Sequence, residues 1–449
     1  MTEEEIDRLL RREWQIDCRQ IRLTQRTSHE PLTYSGTGWI RQENDGSLKF
    51  KILADQGLRQ FDRGFGQQHA PGTVHPETAY YDLSAVDENG REWRAERIRP
   101  SEVVERLRHH TVRGKIPRIA YYTDEGQVLP TVVTVLFPGR IEIPCTTGTD
   151  VQTTIDGSLW AMSSHTNVAQ FTSCGHRMQL LADEDRLRLT IRRSGEALQP
   201  LTEARVIEAL EFVLARRMTP LLIQRRAEST EYIEVRAMSA TWSGRVFPPI
   251  AFTRVENVAT VWALFDRYFT YIRRHEGPGR HPLSQKLRAV LEGCEASIDA
   301  HALTVAVAVE SILKSEALKP GTLQIELVSQ VKAAVALLQK SGLDPAFRER
   351  AMAKVNELRN PSAAANLREL VKTQAITDRQ FRAWRDLRNR TAHGDYSDSI
   401  PLQDFMDLLT TVTTLLHRLA FTAIGYVGPY TDYGQRGWPQ TIHDPQVPE

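Results

Sequence analysis

The sequence predicts an α+β protein in which a mostly β N-terminal domain, residues 1–253, precedes an all-α helical bundle, residues 254–449. Apolar and polar residues alternate with a period of two in the first part, as at Leu48, Phe50 and Ile52. In the last part the apolar residues repeat at helical spacing instead. A chain of 449 residues is also too long for one ordinary hydrophobic core, so two or three domains are expected.

The first domain is predicted to contain a short helix, a series of strands and one further helix. Thr2–Trp14 has apolar residues on one face, which favours a short surface helix. Tyr80–Val86 and Arg91–Ile98 flank a glycine-containing loop and are expected to form a hairpin. An amphipathic helix at Thr202–Arg216 interrupts the strands, whose topology stays open. The other predicted strands are Leu48–Ile52, Arg118–Tyr122, Thr131–Phe137, Arg140–Ile143, Leu187–Ile191, Leu221–Gln224 and Tyr232–Val235.

The second domain is predicted to be helical. The turn-rich segment His275–Leu283 separates the first helix from the next. The apolar stripe of the last helix is typical of a bundle core. The tail from Tyr426 is expected to be ordered only where it packs on the bundle. The predicted helices are Val258–Ile272, Leu283–Leu318 as one helix or two, Thr322–Lys340, a helix opened by Asp344 and Pro345 that ends before Asn360, Ser362–Lys372, Thr377–His393 and Asp404–Ile424.

Composition excludes several classes of protein. The net charge of +1 argues against a uniformly basic protein that coats nucleic acid, but it permits a local basic site. The start is acidic and amphipathic, unlike a secretory signal, and the longest apolar run, Ala302–Val309, is too short to span a bilayer. Four scattered cysteines suit a reducing compartment. A cytoplasmic protein without membrane contact is therefore expected.

The segment Leu387–Gly394, LRNRTAHG, is the strongest functional signal. Its helix begins at a capping box formed by Thr377 and Gln380, and Gly394 is a natural stop. Asn389 and His393 are four residues apart and share a helical face, and Arg388 is one step round the same turn. His393 would lie in the last turn, where the helix dipole favours the charged imidazole. A cation, an amide and an imidazole form a plausible group for binding and reacting with phosphate.

The motif resembles the signature of the HEPN family, helical domains whose ribonuclease members carry Arg-Asn-x-x-x-His. Arg388 and Asn389 match its first two positions, residues 390–392 are the variable positions, and His393 matches the last. The closing segment Leu415–Tyr430 resembles the ApeA-type branch of that family. The resemblance covers the last two fifths of the chain. It implies a metal-independent, homodimeric ribonuclease whose products have a 2′,3′-cyclic phosphate and a 5′-OH.

The residues themselves suggest how such a site would work. RNA can be cut without metal if its 2′-OH attacks the adjacent phosphorus, which requires a base, an acid and a cation. His393 would be the general acid or base, Arg388 would bind the phosphate, and Asn389 would orient the phosphate or the imidazole. Because one copy provides one imidazole, a composite site at a homodimer interface is inferred. The alternative is that Arg388 makes a surface ion pair and His393 merely ends a helix.

Glu310 is predicted to support this motif. It interrupts the apolar run Val305–Val309, where an unpaired carboxylate would be costly. Arg388 or Arg385 is the expected partner, since an arginine–carboxylate contact would hold the motif in register. A solvated Glu310 on an exposed face is the alternative.

Other patterns are weaker. His165, Cys174 and His176, with Cys145 upstream, could form a zinc site, but they lack a paired Cys-x-x-Cys, so no metal and no cofactor is predicted. The arginine pairs 192–193, 216–217 and 225–226 are interpreted as solvated faces of the β domain that an RNA or nucleotide could use. No nucleotide-binding loop or hydrolase motif with supporting context is present.

Together these observations predict an endoribonuclease, and the resemblance implies that it acts in antiphage abortive infection or as a toxin and cleaves cellular RNA such as tRNA. The setting follows from the resemblance alone. The N-terminal domain would sense a phage-derived trigger. One alternative is a catalytically inactive HEPN module that dimerises or binds nucleotide as a scaffold. A second is that the β domain is the active part, with the helices as a dimerisation element.

Overall fold

The computed structural model describes most of the chain and divides it into two compact units. The first consists of Met1–Glu203 and Thr219–Trp242, and the second of Ala204–Met218 and Ser243–Glu449. At 102–106, 109–110, 148–155, 158–165, 323–327 and 392–393 only the backbone is described. The described residues are 1–27, 29, 31–54, 74–106, 109–123, 129–146, 148–155, 158–165, 167–193, 195–227, 230–238, 246–252, 257–314, 323–358, 362–393 and 400–445.

The first unit is built on antiparallel strands. Its described strands form one sheet in the order β12-β13-β14-β9-β15-β16-β8-β5-β4-β1-β2-β3-β7-β6, and β10 pairs with β11 separately. The helix and strands are α1 (Glu3–Leu10), β1 (Gln15–Gln25), β2 (Thr33–Gln42), β3 (Leu48–Ala54), β4 (Tyr81–Asp87), β5 (Glu92–Ile98), β6 (Pro100–Arg106), β7 (His109–Ile116), β8 (Arg118–Tyr122), β9 (Val132–Pro138), β10 (Gly148–Ile155), β11 (Ser158–His165), β12 (Val168–Ser173), β13 (His176–Ala182), β14 (Arg186–Arg193), β15 (Leu222–Ala227) and β16 (Thr230–Arg236).

Alternate burial explains why these segments form strands with one face in the core. Along β4, Tyr81, Leu83 and Ala85 are buried, while the residues between them are more exposed. The strand predicted at Arg140–Ile143 is wrong, because this segment joins no ladder. Gly139 has a φ of 81°, in the left-handed region, and turns the chain out of β9. The alternation there reflects two buried isoleucines without strand pairing.

The described part of the second unit is helical apart from a C-terminal hairpin. This order confirms the predicted α+β class, with a mostly β part before a helical part. Within the described residues, no helix is both long and apolar enough to cross a membrane. The elements are α2 (Thr202–Leu214), α3 (Val258–Ile272), α4 (Pro282–Ala296), α5 (Ile298–Leu313), α6 (Leu323–Lys340), α7 (Pro345–Glu357), α8 (Ala363–Lys372), α9 (Asp378–His393), α10 (Leu402–Ile424), β17 (Gly428–Thr431) and β18 (Gln440–His443).

The sequence left open whether Leu283–Leu318 forms one helix or two. The structure has two helices in this region, α4 and α5, and Ser297 separates them. Its backbone is extended, at φ −169° and ψ 166°, and its side chain accepts a hydrogen bond from Ala300 N as the N-cap of α5. The tail after α10 forms the β17–β18 hairpin, in which Tyr430 is buried.

The unit boundary differs from the predicted one after residue 253, since the second unit resumes at Ser243 and includes most of α2. A buried arginine explains why most of α2 belongs to the second unit. Arg205 Nη1 donates to Glu208 Oε1 at 2.6 Å and to Gly279 O at 2.9 Å. Arg205 Nη2 donates to the carbonyl oxygens of His275 and Gly277. Helix α2 therefore holds the turn-rich link between α3 and α4, and it packs with the helices.

Replacing Arg205 with alanine is expected to destabilise the second unit by about 3–5 kcal/mol, because the Glu208 carboxylate would stay buried without its partner. Both side chains of the pair are at most 3% exposed. Urea unfolding followed by far-ultraviolet circular dichroism measures the loss. Arg382→Ala is the matched control, since Arg382 pairs with Asp378 on the exposed face of α9, and it should cost about 0.5 kcal/mol or less. Equal midpoints for the two variants would contradict this role of Arg205.

Candidate functional site

The start of α9 is fixed by the capping box that the sequence predicts. Gln380 N donates to Thr377 Oγ1 at 3.2 Å, and Thr377 N donates to Gln380 Oε1 at 3.0 Å. The same Oε1 atom also accepts a hydrogen bond from Arg418 Nη1 of α10 at 3.2 Å. Arg418 Nη2 donates to Gln374 O. Gln380 and Arg418 are both buried, so this network fixes where α9 begins against α10.

One face of α9 packs into the helical unit. Phe381, Trp384 and Leu387 are buried at helical spacing. Trp384 Nε1 donates to Ala306 O of α5 at 3.4 Å. Thr391 Oγ1 is buried and donates to the carbonyl oxygen of Leu387 at 3.1 Å, within the helix. These contacts hold the helix that carries the motif on a packed scaffold rather than on a loop.

Arg388 and Glu310 form the contact that the sequence analysis expected. Arg388 Nε donates to Glu310 Oε1 at 2.6 Å. The Arg388 side chain is 46% exposed and the Glu310 side chain 24% exposed. Arg385, the other candidate partner, lies 3.8 Å from Asp386 instead. The two terminal nitrogens of Arg388 make no hydrogen bond with any described residue.

The other two motif residues follow Arg388 along the same helix. The Asn389 side chain is exposed and has no hydrogen-bond partner within the described part of the chain. His393 is the last residue of α9, but its side chain lies outside the described residues, as does Gly394, the predicted stop. The backbone of α9 keeps Asn389 and His393 four residues apart on one helical face, as predicted.

This arrangement suits the binding of a phosphate group. An arginine held through Nε presents its two Nη atoms as a fork, the geometry that matches two phosphate oxygens. An exposed amide on the next residue can donate one further hydrogen bond. Glu310 orients the guanidinium without enclosing it, since nearly half of the Arg388 side chain is open to solvent.

No known family model, curated protein or solved structure matches this chain. The geometry of α9 and the sequence resemblance described above are therefore the grounds for a function.

The structure describes the side chains of three of the four residues considered for a zinc site, Cys145, Cys174 and His176. Among the described side chains, no three His, Cys, Asp or Glu residues could hold a metal ion. The Cys145 thiol donates to Ile143 O at 3.5 Å, and burial raises the pKa of that thiol. Cys174 lies in the tight turn between β12 and β13, with a φ of 49°. The side chain of His165 is outside the described residues.

The second unit also contains a small cavity. This cavity is too small to be a substrate site. It has a volume of about 30 Å³ and is lined in part by Glu211, Tyr268, Ser284 and His417. Such a volume holds about one water molecule. Burial lowers the pKa of the His417 ring to about 3, so this histidine is neutral at pH 7.

Four of the six arginines at 192–193, 216–217 and 225–226 form ion pairs with described acidic residues. Such pairing is usual for arginines that have a structural role. Arg192 is different, since it forms no ion pair with a described residue and lines a depression in the sheet. Its neighbour in that depression, Arg177, was missed by the sequence analysis because only strand register brings the two together. The ion pairs are Arg193–Glu196, Arg217–Glu295, Arg225–Glu203 and Arg226–Glu231.

A double-mutant cycle on Arg388 and Glu310 is expected to give a coupling energy of about 1 kcal/mol or less, because the pair is partly exposed to solvent. Arg388→Gln, Glu310→Gln and the double variant would be compared by urea unfolding. A coupling of about 3 kcal/mol or more would be the value of a buried structural pair. That result would favour a purely structural role for Arg388.

Proposed function

We propose that this protein is a metal-independent endoribonuclease whose site is formed by Arg388, Asn389 and His393, with Glu310 in support. The observation that carries the proposal is the set of contacts and the exposure of the Arg388 side chain. Its Nε atom donates to Glu310, its side chain is 46% exposed, and its terminal nitrogens make no hydrogen bond with a described residue. The exposed amide of Asn389, on the next residue of α9, adds a second group beside Arg388 that can bind phosphate. The resemblance of the motif to the HEPN signature supports the same reading.

The reaction divides into proton transfers and charge stabilisation. A base takes the proton of the ribose 2′-OH while the 2′-oxygen bonds to phosphorus. The bond from phosphorus to the 5′-oxygen breaks, and an acid gives that oxygen a proton. His393 serves as one of these two groups, Arg388 binds the phosphoryl oxygens, and Asn389 orients the phosphate or the imidazole. The products are a 2′,3′-cyclic phosphate and a 5′-OH, and no metal or cofactor takes part.

The proposal includes a homodimer, because a second copy supplies the second imidazole. Exposed apolar residues on α5 support it. Leu303 is 42% exposed and Val307 is 52% exposed. With Glu310 they are spaced at i, i+4 and i+7, so the three share one face of α5. An apolar surface beside the Arg388–Glu310 pair would be covered if two copies associate there.

The biological setting is proposed from the resemblance. The nuclease would act in the cytoplasm on RNA, with tRNA as one target, in antiphage abortive infection or as a toxin. The first unit would then sense a phage-derived trigger that releases the activity.

A catalytically inactive scaffold is the second candidate, and one observation favours it. Arg388 has an acidic partner within the chain, as a residue that only stabilises helix packing would. A scaffold would dimerise or bind nucleotide through the helices without cutting RNA.

Cleavage of total RNA and tRNA in EDTA is expected for the wild type and lost in Arg388→Ala and His393→Ala, since each removes a group that the reaction needs. The loss should be about 100-fold or more, the usual contribution of a catalytic acid, base or charge-stabilising group. Arg385→Ala is the matched control. It removes an exposed arginine from the same helix and should leave the rate unchanged.

Two outcomes of that assay would contradict the proposal. Cleavage that continues unchanged in both variants would place the active site elsewhere. No wild-type cleavage, even with infected-cell extract added to supply a trigger, would favour the scaffold.

Val307→Asp is expected to separate the homodimer and to reduce cleavage with it, because a carboxylate would be buried at the apolar contact. Sedimentation velocity measures the association and the EDTA assay measures the rate. Leu337→Asp is the control, since Leu337 is an exposed apolar residue of α6, 73% accessible, and it shares no helix with Glu310. A wild-type protein that stays monomeric while cutting RNA would contradict the composite site.

A further inference from the structure

A depression on the sheet of the first unit has an unusual charge. We call it the β12–β14 depression, after the strands that form it, and its volume is about 360 Å³. Register places its polar residues in two neighbouring rows across the three strands. One row is Thr172, Arg177 and Arg192, and the other is Gln170, Gln179 and Thr190.

Two like charges meet in the first row. Arg177 and Arg192 are directly opposite each other on β13 and β14, so their Cβ atoms are about 4.5–5.5 Å apart. Both are exposed, and neither forms an ion pair with a described residue. No acidic residue is among the described residues that line the depression. Like charges at opposite positions destabilise a sheet, so this pair repels unless an anion lies between the two.

A second depression on the same sheet provides a comparison. It has a similar volume, about 380 Å³, and also contains two arginines, Arg94 and Arg118. Its lining includes Glu96 and Glu234, which balance the arginines. The β12–β14 depression differs from this one because no acidic residue is among its described lining residues.

We propose that the β12–β14 depression binds a phosphate-bearing small molecule of nucleotide size. One guanidinium group can donate two parallel hydrogen bonds to two phosphate oxygens. Two facing arginines can therefore bind one phosphate group from both sides. The glutamine and threonine side chains of the second row can donate and accept hydrogen bonds to the rest of the ligand. The volume lies within the range of about 300–1,000 Å³ for small-molecule sites.

This site goes beyond the proposed nuclease and does not rest on it. Arg388 and the β12–β14 depression belong to different units, and binding can be measured whether or not the protein cuts RNA. A ligand held here would give the first unit a chemical signal to detect.

Isothermal titration calorimetry on the full chain at low ionic strength tests the proposal with ATP, pyrophosphate and adenosine. ATP and pyrophosphate are expected to bind, and adenosine is not, because the arginines recognise phosphate. Tighter binding of ATP than of pyrophosphate would identify the ligand as a nucleotide. Equal affinities for ATP and pyrophosphate would show that the phosphate groups alone account for the binding.

Variants locate the binding. Arg177→Gln and Arg192→Gln should each weaken ATP binding about tenfold, the loss expected when a charged hydrogen-bond donor is removed. Arg177→Lys should lose less, since it keeps the charge without the fork. Arg118→Gln, in the second depression, should bind ATP as the wild type does. Thermal melting should show no loss of stability in the glutamine variants, because each relieves a repulsion.

Three results would overturn the proposal. The first is that neither ATP nor pyrophosphate binds, and this includes the case in which only an RNA oligonucleotide binds. The second is adenosine binding as tight as that of ATP. The third is an equal loss of affinity in Arg118→Gln and Arg177→Gln.

Discussion

One buried hydrogen-bond acceptor, the side-chain oxygen of Gln380, determines where α9 begins. It accepts from Thr377 N, which caps the helix, and from Arg418 of α10, which fixes the helix against its neighbour. Burial lowers the pKa of the Arg418 guanidinium, so this charge depends on its hydrogen bonds. Loss of the acceptor would leave buried donors unpaired, at a cost of about 1–3 kcal/mol each. The position of every motif residue further along α9 follows from this start.

With its start fixed, α9 presents two different faces. The face with Trp384 and Leu387 is buried, whereas Arg388 and Asn389 are exposed. Glu310 then restricts the guanidinium of Arg388 at its Nε atom, which reduces the side-chain freedom lost when a phosphate binds. A helix held in this way can supply a precisely placed cation, as a metal-free reaction requires. In the first unit, the β12–β14 depression is proposed to bind a ligand of its own.

Local patterns in the sequence predicted what depends on near neighbours. The capping box of α9, the bounds of α3 and the partner of Glu310 follow from helical spacing and from the cost of an unpaired carboxylate. Features that depend on distant contacts could not be predicted in this way. Arg418 is a buried arginine beside the apolar stripe of α10, and its contacts with Gln380 and Gln374 explain it. The pairing of Arg177 with Arg192 needs the register of β13 and β14, and the place of α2 needs the carbonyl oxygens that Arg205 binds.

The most direct test of the central claim is cleavage in EDTA of an RNA beside its 2′-O-methyl counterpart of the same sequence, with the product ends mapped. If the 2′-OH is the nucleophile, the RNA is cut to leave cyclic phosphate and 5′-OH ends, and the methylated strand stays intact. Cleavage of the methylated strand, or products with 5′-phosphate ends, would show that water attacks the phosphate instead. Either result would contradict the mechanism proposed for Arg388, Asn389 and His393.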